Sequence, residues 1–518
     1  MSDPAYYSTS DYYQPGIMTE VGWVVFGIGL ILVLFIASVL GARYLLASSR
    51  HLRPGTRRIL ELLSGLARPS EAVSAKRRRR HERELSSRKA GPQYKLQIAA
   101  AGPELVAPPG AIDRPAAAEQ PFGRRRIAQD LSLAPEEAWP FYAEDEIEAV
   151  VALLRSGKVN QWTGSKVFEF ERAYTRHLGN SRAIALANGS VALELALRAL
   201  GVGAGDDVIV TPRTFVASAF CAQLVGANPV FADVDRDSGN MTADSVAAVL
   251  TTRTRAIIPV HIGGWPADMP AIMALARDKG IHVIEDCAQA QGAEIDGRSV
   301  GSFGDAASFS FCQDKIISTG GEGGLVALRD DDAYEYAWSF KDHGKDRKRA
   351  FERPAEPGFR WLHDRVGTNW RMTEISAAIG LLQLEKLSQW RAQRAANAAI
   401  WADALRKIPA LRVPQPAQNL VGAYYKFYAY VDADPADNRA LRDQILARAA
   451  AAGLRVFSGS CSEVYREAAF ADLAVAPLPV AHALGESSLM LEVHPTLDRR
   501  RLRDRADALA SIIAEVLR

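Results

Sequence analysis

The chain has 518 residues, 24% of them charged and 48% hydrophobic, with a formal net charge of +2. That balance excludes a wholly disordered or collagen-like protein, and the length allows about three structural units. The small net charge hides three electrically distinct pieces: residues 1–42 have three acids and no Lys or Arg, residues 43–126 have nineteen Lys/Arg against seven Asp/Glu, a net of +12, and −7 is left for 127–518.

The first expected element is a membrane helix. Val21 to Ala42 runs twenty-two residues without a formal charge, and at 1.5 Å per residue such a helix crosses a ~30 Å hydrocarbon core. Acids precede it and it is long, which argues against a cleaved signal peptide. Arg43, Arg50, Arg53, Arg57 and Arg58 follow it. The positive-inside rule therefore predicts a single-pass protein of the inner (cytoplasmic) membrane, with residues 1–20 outside and the C-terminal bulk in the cytoplasm.

Residues 43–126 read as a basic, mostly disordered tether. They include KRRRRHERE at 76–84 and RRR at 124–126, with few aromatic residues to bury. The two readings of this run are contact with anionic cytoplasmic lipid and a solvated linker. Nucleic acid is not expected, because no base-stacking module accompanies the charge.

After about residue 139, short apolar runs alternate with amphipathic stretches. The runs are AIALA (183–187), DVIVT (207–211), PVFAD (229–233), AIIPV (256–260), HVIED (282–286), ASFSF (307–311) and GLVAL (324–328). This alternation predicts a three-layer α/β domain with a mainly parallel seven-stranded sheet, whose ligands gather at the carboxyl ends of the strands. Asn188-Gly189-Ser190 follows the first run and suits either a helix cap or a phosphate at a helix N-terminus. Glu285-Asp286 ends the fifth, and Lys315 with the glycine-rich STGGEGG follows the sixth. No Gly-x-Gly-x-x-Gly follows the first strand, so a nicotinamide-dependent dehydrogenase is disfavoured. AYYKFYAYVD (423–432) alternates as a strand of an open antiparallel sheet. The four cysteines lie far apart, with no zinc-ligand spacing, so no metal is expected.

Seven ordered motifs in the body resemble the DegT/StrS-type sugar aminotransferases, pyridoxal-phosphate enzymes of the aspartate aminotransferase fold. They are LRSGKVNQWTGSKVFEFE (154–171), ANGSVALELAL (187–197), TPRTFVASA (211–219), HIGGWPADMPAI (261–272), VIEDCAQAQGA (283–293), SFSFCQDKIISTGGEGG (308–324) and GTNWRMTEISAAIGLLQLEKL (367–387). The resemblance covers about residues 139–518 and none of the anchor or tether. It implies a cofactor-binding large domain at 139–395 and a small domain at 396–518.

The resemblance also assigns roles. Lys315 stands at the Schiff-base lysine and Asp286 at the carboxylate facing the pyridine nitrogen. Gln289 matches a residue near the cofactor's ring oxygen, and Phe215 an aromatic ring stacked on the cofactor. Gly189, Ser190 and Ser310 match the phosphate cradle. Asn369 matches an asparagine that reaches the phosphate from the neighbouring subunit, which implies a homodimer. TPRTFVASA is one residue shorter before its aromatic than many relatives, and Cys312-Gln313-Asp314 is a less usual approach to the lysine.

The expected activity is amino transfer, with glutamate as donor, to a nucleotide-linked keto-sugar, serving polysaccharide or glycolipid synthesis beside the membrane. Two alternatives are a sugar dehydratase of the same family and a non-catalytic scaffold retaining the fold. Lys315 argues against the first, since such dehydratases replace that lysine. Intact Lys315, Asp286 and Ser310 argue against the second.

Overall fold

The computed structural model describes residues 137–179, 181–352 and 358–518. The expected outer segment 1–20, membrane helix 21–42 and tether 43–126 lie outside the described residues. Among the described residues, no helix is long and apolar enough to cross a membrane.

Nine strands lie in the first half of the body: β1 (Arg182–Leu186), β2 (Asp207–Val210), β3 (Asn228–Phe231), β4 (Thr254–Ile258), β5 (His282–Asp286), β6 (Glu294–Ile295), β7 (Arg298–Ser299), β8 (Ala306–Ser310) and β9 (Gly324–Leu328). Seven of them form one sheet in the order β1-β9-β8-β5-β4-β2-β3. β8, β5, β4, β2 and β3 pair in parallel, whereas β9 is antiparallel to both β1 and β8. The sheet is therefore mixed, mainly parallel with one reversed strand. The reversal turns the connection between β8 and β9, which carries Lys315, into a hairpin at the carboxyl end of β8.

Alternate residues of the strands feed two apolar layers. Ala183, Ala185, Ile209, Ile257 and Val283 pack with Val167, Phe170 and Tyr174 of the helix Lys166–Leu178 on one side. Ile184, Leu186, Val208, Val210, Ile258 and Ile284 pack with Leu193, Leu195 and Leu197 of the helix Gly189–Ala199 on the other. Burial on both faces explains why these strands read as unbroken apolar runs, as parallel sheets require.

The small domain contains β10 (Leu411–Arg412), β11 (Leu420–Val421), β12 (Phe427–Val431), β13 (Val456–Phe457) and β14 (Ser488–Leu491). Its four-stranded antiparallel sheet has the order β10-β12-β14-β13, and β11 instead joins β6 and β7. The segment expected as a strand at 423–432 supplies β12. Helices Asn438–Ala451 and Arg499–Val516 cover this sheet. The helix Glu374–Leu405 runs through the expected boundary at 395/396: Ala377 and Leu387 pack under the large sheet, while Trp401 and Leu405 enter the small-domain core.

Candidate active site

The ends of β1, β2, β5 and β8 supply the side chains singled out by the sequence. Lys315 lies in the hairpin after β8. Its Nζ donates to the Tyr425 hydroxyl at 3.4 Å and stands 3.7 Å from Asp314 Oδ1. Tyr425 in turn donates to Asp314 Oδ2. Burial alone would raise the Asp314 carboxyl, but Lys315, Tyr425 and Lys426 more than offset it and hold it below the usual range. The backbone of Lys315 is clasped from outside the hairpin, where Trp139 Nε1 donates to its carbonyl at 2.9 Å. Gln383 Oε1 accepts the amide of Ser318 at 2.8 Å.

Asp286 ends β5 and is 4% exposed. Ser218 Oγ donates to its Oδ2 at 2.7 Å and the Ala288 amide to its Oδ1 at 3.1 Å. Burial pushes this carboxyl up; the Ser218 and Ala288 bonds and the charges of Lys315 and His261 pull the other way without cancelling it. Gln289 is buried, and its Oε1 accepts the Gly263 amide at 2.8 Å. Phe215 follows β2 and remains 67% exposed, a flat apolar ring that its own chain leaves uncovered.

Gly189 opens the helix after β1, with Asn188 as its cap, accepting the Val191 amide at 3.0 Å. The cap and phosphate readings are thus compatible, because the earlier amides of that turn have no intrahelical acceptor. A Cβ at Gly189 would stand 2.7 Å from Ser310 Cβ at the end of β8, so only glycine brings the two strand ends together. Ser190 is exposed, and Asn369 is exposed as well. The glycine-rich stretch 318–324 ends in Gly324, the first residue of β9. A Cβ at Gly324 would meet the Asn188 backbone at 2.2 Å, so the crowding there comes from the chain itself.

Sequence reasoning did not single out Ser218, Thr214, Tyr425 or Trp139. Ser218 and Thr214 stand inside the quoted TPRTFVASA, but Ser218 lies 68 positions from the Asp286 it touches. Tyr425 was legible only as an alternating strand residue. A buried group of possible ligands, His261, Glu285 and Cys287, also emerges. Glu285 already accepts the amides of Gly301, Phe303 and Gly304 at 2.8, 2.7 and 2.7 Å, and stands 3.3 Å from His261 Nε2. His261 Nδ1 accepts the Ala267 amide at 3.0 Å. The cluster is a structural brace that ties the turn 301–304 to the strand ends.

An amine, a buried carboxylate, an uncovered aromatic ring and a helix N-terminus at the carboxyl ends of one mixed sheet define a pyridoxal-phosphate-dependent transferase. The residues fit that group: the glycine-lined helix start suits its phosphate and buried Asp286 suits its ring nitrogen. The chain belongs to the DegT/DnrJ/EryC1/StrS aminotransferase family, whose model matches residues 140–510. It is an aminotransferase that uses pyridoxal phosphate.

An aminotransferase from Psychrobacter cryohalolentis is 46% identical, with a TM-score of 0.71 over 74% of this chain and 100% of that one. GDP-perosamine synthase of Caulobacter vibrioides is 37% identical over 64% of this chain and 86% of its own length. The 3-amino-5-hydroxybenzoate synthase of Amycolatopsis mediterranei is 39% identical over 50% of this chain and 66% of its own length. An enzyme named for an aromatic product is thus as similar as one named for a sugar, so identity alone does not fix the acceptor.

Proposed function

We propose that this protein moves an amino group from an amino-acid donor, glutamate, to a nucleotide-linked keto-sugar, for polysaccharide or glycolipid synthesis. The observation that carries this reading is the Lys315 amine held by Tyr425 and Asp314 beside buried Asp286. The names of similar proteins, GDP-perosamine synthase among them, support a nucleotide-sugar acceptor.

Lys315 Nζ would be the nucleophile that holds the cofactor, and as a free amine it would carry a proton to and from the reacting carbon. Tyr425 and Asp314 orient that amine. Asp286 would accept from the ring nitrogen of bound pyridoxal phosphate, Gln289 would stand at its ring oxygen and Phe215 would cover its face. Gly189, Ser190 and Ser310 would hold its phosphate. Bound pyridoxal phosphate supplies an electron-withdrawing ring conjugated to the reacting carbon.

The site is shared between two copies of the chain, Asn369 of each reaching the phosphate held by the other. In support, Asn369 is exposed and follows a stretch in which Phe359, Trp361 and Val366 are also exposed. Large apolar side chains gathered at a surface favour a protein contact. Residues 21–42 anchor the enzyme in the cytoplasmic membrane with its body in the cytoplasm, beside the enzymes that consume its product. The charge asymmetry around that segment supports this location.

The test is incubation of the purified enzyme with glutamate and a panel of nucleotide keto-sugars, with mass detection of an aminated product. Release of 2-oxoglutarate with no aminated sugar from any acceptor would count against the sugar assignment.

A further inference from the structure

Asp286 is held by more than burial. Ser218 Oγ donates to Asp286 Oδ2 at 2.7 Å, and Thr214 Oγ1 lies 2.8 Å from the same Ser218 oxygen. Thr214, Ser218 and Asp286 are 1%, 2% and 4% exposed. A serine hydroxyl has one proton. Since Ser218 gives it to the carboxylate, the 2.8 Å contact must be donated by Thr214. With Asp286 ionised, the donation runs from Thr214 to Ser218 to Asp286.

The local fold explains the spacing. Thr214 stands in the turn after β2, and Ser218 in the first turn of the helix Ala217–Leu224. The backbone of Asp286 is pinned at the same time: its amide donates to Pro259 at 2.8 Å, and its carbonyl accepts the His261 amide at 3.3 Å. The groups facing the carboxylate are Lys315 from the hairpin after β8, His261 from the turn after β4, and the thiols of Cys221 and Cys287. Burial pushes both thiols up and keeps them neutral. Glu285 is turned away and occupied by the 301–304 amides.

We propose that Thr214 and Ser218 form a hydrogen-bond relay that keeps Asp286 an ionised acceptor, so that the proton it shares with the cofactor stays on the ring nitrogen. The inference rests on the assignment of Asp286 to that nitrogen. Two bases then compete for one proton in a dry site. A charged acceptor gains more from a donated hydrogen bond than a neutral one, so each donor to Asp286 weakens it as the competing base. Removing Ser218 makes the carboxylate the stronger base and draws the proton off the ring. Ser218 and Thr214 are positioning residues in this scheme and touch neither substrate nor cofactor.

The test uses holoenzyme loaded with pyridoxal phosphate carrying a 15N label in the ring. In Ser218→Ala the ring resonance should move toward that of an unprotonated pyridine, and the acid limb of kcat should rise by about one pH unit. The sign follows from the carboxylate: with a higher pKa it is neutralised at a higher pH as acid is added, and the ring loses its counter-charge sooner. Thr214→Val should act in the same direction and less, while Ser218→Thr, which keeps the hydroxyl, should restore both readouts. Thermal melts establish that the variants remain folded. If Asp286→Asn moves the ring resonance and Ser218→Ala moves neither the resonance nor the acid limb, the relay is refuted. If Asp286→Asn leaves the resonance in place, the carboxylate does not face the ring nitrogen, and the relay falls with that assignment.

Discussion

Lys315→Ala removes the amine proposed to carry the cofactor and move the proton, so turnover should vanish. Borohydride reduction of the wild type should leave a pyridoxyl mass on the peptide containing Lys315, and on no other. Asp286→Asn keeps the Ser218 contact in reach but cannot hold a counter-charge for the ring, and a loss in kcat of about 100-fold is expected. Gly189→Ala tests the phosphate cradle separately. Its new methyl would enter the space of Ser310 Cβ, which sits on a buried strand end. Separating the two costs about 1–3 kcal/mol, so cofactor affinity measured by fluorescence titration should weaken about tenfold or more.

Elements were legible where one local pattern determined them. Each of the seven apolar runs became a strand within two residues, because a strand buried on both faces needs an unbroken apolar stretch. The reversed direction of β9 was not legible, since GLVAL reads the same whichever way it runs. The helix that opens at Glu374 continues through the expected domain boundary to Leu405, because it crosses from one core to another and has no stop signal between them. The relay to Asp286 was hidden for another reason: donor and acceptor come from different strand ends, and only the sheet order brings them together.

One element makes its own pH prediction. The carboxylate of Asp342, buried at the end of the helix Asp331–Lys341, accepts from Trp162 Nε1 at 2.9 Å, Lys345 Nζ at 3.0 Å and Arg371 Nη1 at 2.6 Å. Burial alone would raise this carboxyl; the bond from Lys345 and the charges of Lys341, Lys345 and Arg371 bring it below the ordinary range. Its stabilising contribution is therefore complete above the unfolded value near pH ~4, and is lost as pH falls toward the lower folded value. Asp342→Asn should cost about 3 kcal/mol at pH 7 by urea unfolding, and should flatten the fall in stability below pH ~4. An unchanged acid profile would mean that other carboxylates govern it.

At the scale of the whole molecule, the shared site and the anchor are open to direct tests. If Lys315→Ala and Asn369→Asp are each nearly inactive, mixing the two should rebuild one working site in every mixed dimer. Random exchange makes about half the dimers mixed, so activity should return to roughly a quarter of wild type. Absence of recovery after ultracentrifugation has shown subunit exchange would put Asn369 outside its neighbour's site. For the anchor, a reporter active only in the cytoplasm and fused after Arg518 should be active, and removal of residues 1–126 should release the body from membranes. Activity of a periplasmic reporter at the same place would reverse the orientation.

The contact between Trp139 and the Lys315 carbonyl belongs to a strap that spans the body. Tyr142 Oη lies 3.0 Å from Ser318 Oγ, Thr496 Oγ1 donates to the Ala138 carbonyl at 2.9 Å, and the Asp498 amide to Glu137 Oε1 at 3.1 Å. Arg505 pairs with the same glutamate, and the Trp139 indole packs edge-on against Trp390. Six residues at the entrance to the body thus tie the lysine hairpin to the small domain. A protease cut or a truncation at residue 144 would spare every side chain assigned to the chemistry and still sever this brace. Hydrogen–deuterium exchange in such a shortened protein should then rise together in 311–323 and 494–505, two segments far apart in the sequence, while the central strands of the large sheet keep their protection.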